Sequence, residues 1–169
     1  MRNHSTQKLV LTAVFAAVIC VVTFLVKFPV PGTQAYVNAG DGFLYATALL
    51  LGGPLGAVAG GVGSALADLL GGYLVYAPAT LVIKALMGLV VGLAHKKRRN
   101  WALWAGLMAA ASLVMTLGYF LFEIFAYGQG QAIINLPFNL IQAAGGVAIG
   151  FLLAVLLDRV VPKQWRDIL

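Results

Sequence analysis

A chain of 169 residues that is 62% hydrophobic and only 9% charged falls far below the ~25% charge of an ordinary soluble domain. With a mean hydropathy of +0.95, this composition excludes a soluble globular protein and leaves an integral membrane protein. The formal charge of +6 could suggest nucleic acid, but eight of the eleven cations (Arg2, Lys8, Lys96, Lys97, Arg98, Arg99, Lys163 and Arg166) flank apolar segments as cytoplasmic cations do, so membrane orientation accounts for them.

Residues 9–27 form the first predicted span, an apolar run bracketed by Lys8 and Lys27 that is long enough to cross a bilayer core. It has no small-residue cleavage site followed by a soluble domain, so it reads as a retained helix and not a signal peptide. Ala13 and Ala17 are a small-xxx-small pair, with Ala16 and Cys20 on a neighbouring row. Such rows let another helix approach closely, either inside the bundle or from a partner subunit. A single cysteine excludes an internal disulfide and any multi-cysteine metal site.

Pro29, Pro31 and Gly32 end the first helix, and a loop reading Tyr36-Val37-Asn38-Ala39-Gly40-Asp41 follows. Asp41 is placed to cap the next helix. Read as one helix, residues 42–70 would give five spans and put the Lys96-Lys97-Arg98-Arg99 cluster outside. Splitting them at Gly52-Gly53-Pro54 gives six spans and returns the cluster to the cytoplasmic face. The second helix, 41–52, is then ~18 Å long at ~1.5 Å per residue, against a core of ~30 Å. A helix that short leaves a recess, over which the loop carrying Tyr36 and Asn38 can fold on the outer side.

In the third helix, 54–71, the stripe Gly52, Gly56, Gly60, Ser64 and Asp68 recurs every four residues and predicts a smooth face for tight helix contact. Gly61-Val62-Gly63 has no preceding strand and no following Lys-Ser/Thr, so it is not a nucleotide loop. The fourth helix, 78–95, runs from an outer turn to the basic cluster, where Trp101 and Trp104 take interfacial positions. The fifth helix, 101–127, closes at Gly128-Gln129-Gly130, and the sixth, 133–161, ends at Pro162. The expected fold is an all-α membrane domain of six transmembrane helices with both termini cytoplasmic.

Polar residues inside a membrane are expensive and mark sites or paired charges. Tyr76, Thr80 and Lys84 share one face of the fourth helix; Tyr119, Glu123 and Tyr127 share one face of the fifth; Asn135, Asn139 and Gln142 share one face of the sixth. All three stripes lie in the outer half. Structural roles compete: Lys84 neutralising Asp68 or Glu123, the amides bonding helix to helix, and the tyrosines filling core. Their common depth beneath a Pro/Gly-bounded loop favours a pocket for a small, partly aromatic, unphosphorylated heterocycle.

Taken together, Ala13-xxx-Ala17, the loop 36–41, Gly60-Gly61-Val62-Gly63-Ser64-Ala65-Leu66-Ala67-Asp68, Tyr76-Ala77-Pro78-Ala79-Thr80 with Lys84, and Leu136-Pro137-Phe138-Asn139-Leu140-Ile141-Gln142 resemble the substrate-binding S component of energy-coupling factor (ECF) vitamin transporters. The resemblance covers nearly the whole chain. It implies a multi-pass receptor in a prokaryotic plasma membrane that captures a vitamin from outside, gated by the loop after the first helix. It also implies that Ala13 and Ala17 dock on a membrane coupling subunit, the T component, driven by two cytoplasmic ATPases, with no cofactor or metal of the receptor's own. Within the family the chain is most similar to the hydroxymethylpyrimidine or vitamin B6 branch, and related sequences carry the riboflavin label.

Two other classes compete with this reading. A self-sufficient secondary transporter or channel should show inverted repeats or a polar path through the full thickness, whereas the inner halves of helices four to six are apolar. An enzyme needs a nucleophile and base within reach, but His4 and His95 lie at the inner margin and no HExxH or GxSxG motif occurs.

Overall fold

The computed structural model describes residues 4–97 and 100–161; Arg2, Arg98, Arg99, Lys163 and Arg166, part of the charge argument, lie outside the described residues. In chain order the elements are α1 (His4–Leu25), β1 (Lys27–Pro29), β2 (Tyr36–Asn38), α2 (Gly40–Leu51), α3 (Gly53–Gly71), α4 (Ala77–Gly92), α5 (Trp101–Tyr127) and α6 (Gln129–Val160). Four helical stretches, Ser5–Leu25, Gly53–Gly71, Trp101–Tyr127 and Gln129–Val160, are long and apolar enough to cross a bilayer. The 12 residues of α2 and 16 of α4 make shorter apolar helices.

The expected break between the second and third helices occurs at Gly52, whose φ of 87° lies where a side chain would be strained. Pro54 falls in the first turn of α3, where its missing N–H is no loss. At this same end of the bundle the His95 ring donates from Nδ1 to the Leu49 carbonyl oxygen at 2.9 Å, satisfying one of the orphan acceptors at the end of α2.

Several boundaries differ from the sequence-based expectation: the fourth helix ends at Gly92 rather than at residue 95, and the first ends at Leu25 rather than at residue 27. The first helix already includes His4 to Lys8, since the polar lead contains no breaker. Gly128, at φ 90°, turns the chain by itself, so α6 begins at Gln129 rather than at residue 133. Residues 27–38 form an antiparallel hairpin that pairs Lys27 with Asn38, Phe28 with Val37 and Pro29 with Tyr36. Strands of three residues are too short to register as an alternating pattern.

Asp41 does not cap α2. The capping position is Ala39, without a side-chain bond, and it is Asn38 whose Oδ1 accepts from the Gly40 N–H at 2.9 Å.

Close helix approach explains the glycines of α3 and α4. A Cβ on Gly88 would lie 2.6 Å from the Gly56 carbonyl oxygen, and one on Gly63 would lie 2.5 Å from the Ala16 carbonyl oxygen. The Gly56 and Gly60 part of the four-residue stripe faces α2, against Ala48 and Leu44. Two small rows of α1 separate in the same way. Ala16 and Cys20 are buried, while Ala13 and Ala17 stand exposed on the outer surface of the bundle. Beneath the polar layer the centre is filled by Met87, Met108, Ala111 and Val91, all fully buried.

Candidate functional site

A cavity of about 390 Å³, counting its mouth, opens beneath the hairpin. That mouth faces the end of the bundle where β2 meets the turn between α3 and α4: Tyr36 and Tyr73 rings lie 4.5 Å apart there, with the Lys27 ammonium 5.3 Å from the Tyr73 ring centre. The break at Gly52 and the end of α4, where His95 meets Leu49, lie at the other end.

The walls come from the hairpin and from every helix except α2. Thr23 is contributed by α1; Ala35, Tyr36 and Asn38 by the hairpin; Ser64 and Asp68 by α3; Tyr76, Thr80 and Lys84 by the start and body of α4; Tyr119 and Glu123 by α5; Asn139 and Gln142 by α6. Helical spacing explains the convergence, because residues four apart on each helix present one stripe to the centre. The sequence-predicted residues Tyr36, Asn38, Tyr76, Thr80, Lys84, Tyr119, Glu123, Asn139 and Gln142 are therefore brought together.

Tyr127 and Asn135 stand one layer back. The Tyr127 ring stacks on Tyr76 at 5.6 Å, and the Asn135 Nδ2 donates to Glu123 Oε1 at 2.9 Å. Thr23, Ala35, Ser64 and Asp68 line the cavity without having been singled out as site residues. Only Ser64 and Asp68 carried a signal, as the polar end of the glycine stripe: past Gly60 that face meets open space instead of α2.

Two hydrogen-bonded systems organise the polar atoms. The first joins the hairpin to the helices. Tyr36 donates its hydroxyl to Asp68 Oδ1, and the Asn38 N–H donates to Gln142 Oε1 at 2.9 Å. Gln142 turns its Nε2 to Asp41 Oδ2 at 2.7 Å, and the other Asp41 oxygen is ion-paired with Lys84, both residues being 1% exposed. Lys84 thus neutralises Asp41, and neither Asp68 nor Glu123 is its partner. It also reaches the Met115 sulfur at 3.3 Å and lies 5.5 Å from the Tyr119 ring centre. Burial, with the Asp68 carboxylate beside it, pushes the Tyr36 phenol well above its ordinary range, so it stays protonated and donates.

The second system surrounds Glu123. Its Oε1 accepts from the Tyr76 hydroxyl at 3.1 Å as well as from Asn135. Its Oε2 has no hydrogen-bond partner, and neither have Asp68 Oδ2, Asn139 Nδ2 and Thr23 Oγ1, all buried. Buried polar atoms left unsatisfied cost about 1–3 kcal/mol each, so these wall atoms are available to a ligand or to water.

The arrangement can bind and orient a small polar molecule. Among the described residues no group of three or more His, Cys, Asp or Glu could hold a metal ion. His95, the one histidine whose side chain is described, is engaged at the far end of the bundle.

Comparison with known proteins agrees with this geometry. Residues 3–159 match the family described as ECF-type riboflavin transporter, S component. An uncharacterized protein of Pyrococcus woesei is 38% identical over 141 residues, covering 83% of this chain and 95% of its own length. The thiamine precursor transporter HmpT of Lactococcus lactis subsp. cremoris is 32% identical over 164 residues, 96% of this chain and 92% of its own. Among solved structures, the S component for biotin from an ECF-type ABC transporter superposes with a TM-score of 0.65 over 95% of this chain and 93% of that one; at 20% identity it bears on the fold alone. An all-α membrane bundle with a polar cavity, matched from near its first residue to near its last, identifies this chain as a member of the ECF transporter S-component family, a vitamin-transport protein and not an enzyme.

Proposed function

We propose that the chain is the capture subunit for a small nitrogen heterocycle of the hydroxymethylpyrimidine or pyridoxine type, taken from outside a prokaryotic plasma membrane. The observation that carries this reading is the chemistry of the unsatisfied wall: Glu123 Oε2 is an acceptor and Asn139 Nδ2 a donor, both buried and both on the cavity. An aminopyrimidine edge offers a ring nitrogen to accept and an amino group to donate. Tyr76 and Tyr119 supply aromatic walls, with ring centres 6.3 Å apart. The name of the Lactococcus relative, a thiamine precursor transporter, points the same way, whereas the family's own name keeps riboflavin as the second reading.

Delivery requires partners. The exposed row of Ala13 and Ala17 on α1 is a smooth, shallow surface suited to close helix contact, and we assign it to the membrane coupling subunit that two cytoplasmic ATPases drive. Purification in mild detergent followed by mass spectrometry of the denatured sample tests the capture role. A retained pyrimidine or pyridine, rebinding by calorimetry with one site per chain, is the expected result. Retained riboflavin would move the assignment to the second reading, and no binding of any of the three would refute it.

A further inference from the structure

Charge around the cavity does not balance. Asp41, Asp68 and Glu123 are each 1% exposed, and against these three carboxylates the interior sets one ammonium, Lys84, also 1% exposed. Lys84 is spent on Asp41. Lys27 stays at the rim, half-buried, with its ammonium over the rings of Phe24, Tyr36 and Tyr73. Beside Glu123, α4 contributes the neutral Tyr76 phenol and α6 only amides, while α3 adds a further carboxylate, Asp68.

Hydrogen bonds from Tyr76 and Asn135 both land on Glu123 Oε1 and leave Oε2 bare. An ionised carboxylate buried without a counter-charge is strongly unfavourable, and the gain from supplying a cation there is correspondingly large. Resting on the capture reading above, we propose that this receptor binds its heterocycle as the cation, with a protonated ring nitrogen donating N–H to Glu123 Oε2 and Asn139 fixing the ring's orientation. The bound pair is then a ring cation and the Glu123 carboxylate, and its proton comes from water or from the Glu123 carboxyl, whichever holds it before the two meet.

Calorimetry of the purified full chain in detergent, with hydroxymethylpyrimidine and pyridoxine as probes, reads this directly. Above the pKa values of both the free ring and Glu123 in the empty site, the affinity should fall about tenfold per pH unit, the limiting slope for one proton taken up. Wherever binding is tight, the ultraviolet difference spectrum should be that of the protonated ring. Glu123→Gln should flatten the pH slope and leave any bound ring neutral.

Tight binding of a spectroscopically neutral ring, with or without proton uptake, would overturn the proposal and leave the capture role standing. Failure of both probes to bind at any pH would remove the capture reading, and this inference with it. The wild-type titrations decide the matter even if the variant does not fold.

Discussion

Replacing Lys84 by methionine tests whether the charge pair beneath the cavity holds the receptor together. Lys84 and Asp41 are each 1% exposed and paired with one another, and the remaining Asp41 oxygen has the Gln142 amide as its partner. Methionine preserves most of the volume and the contact with Met115, so the change isolates the charge. A buried carboxylate stripped of its ammonium destabilises by about 3–5 kcal/mol, which at ~2–4 °C per kcal/mol for a chain of this size predicts a fall in Tm of roughly 6–20 °C. Adding Asp41→Asn to Lys84→Met removes the orphaned charge. Because replacing a whole buried pair by neutral groups is often close to neutral, the double variant should recover most of the loss. Thermal unfolding of the detergent-purified single and double variants, followed by fluorescence-detected size exclusion, supplies the cycle. Additive single effects, within ~0.5 kcal/mol, would show that the two residues do not act as a pair and would refute the reasoning.

Other outcomes follow from the same contacts. Gln142→Ala removes the tie between Asn38 and Asp41; with two hydrogen bonds lost at ~0.5–1.5 kcal/mol each, ligand dissociation in stopped-flow chase experiments should accelerate about tenfold and Tm should fall by about 2–12 °C. Gly92→Val drives a side chain into the Gly53 backbone and should abolish a folded, monodisperse product, whereas Gly106→Ala meets nothing within 4 Å and should raise stability by up to ~1 kcal/mol in the same unfolding assay. Ala13→Trp and Ala17→Trp add bulk to an exposed row, so ligand affinity should hold while co-purification with the coupling subunit and cellular uptake are lost. Lost binding in either variant would show that the row serves the bundle's own packing.

Much of this architecture was legible because few physical signals compete in an apolar chain. Glycine and proline at 52–54 had to break a helix, and the stripes of Thr80 and Lys84, Tyr119 and Glu123, and Asn139 and Gln142 had to face inward, since lipid offers them no partner. Ion-pair partners were less legible. Asp41 looked like a cap from its position before an apolar run, but its side chain points to Lys84 on α4, a choice made by helix packing that no local pattern encodes. The hairpin was hidden by the brevity of its strands. Thr23 and Ala35 were hidden because a lone threonine or alanine in an apolar stretch looks the same whether it faces a cavity or a neighbouring helix. Tyr127 shared its stripe with Glu123 yet falls outside the wall because the cavity ends one helical turn below it.

The hairpin is fastened to the bundle through Tyr36 on Asp68 and Asn38 on Gln142, and all four of these residues also line the chamber. Lifting the cover therefore means parting donors from acceptors in a poorly hydrated interior, where such separations are slow. Under the capture reading, a ligand beneath the fastened cover leaves no faster than those bonds part.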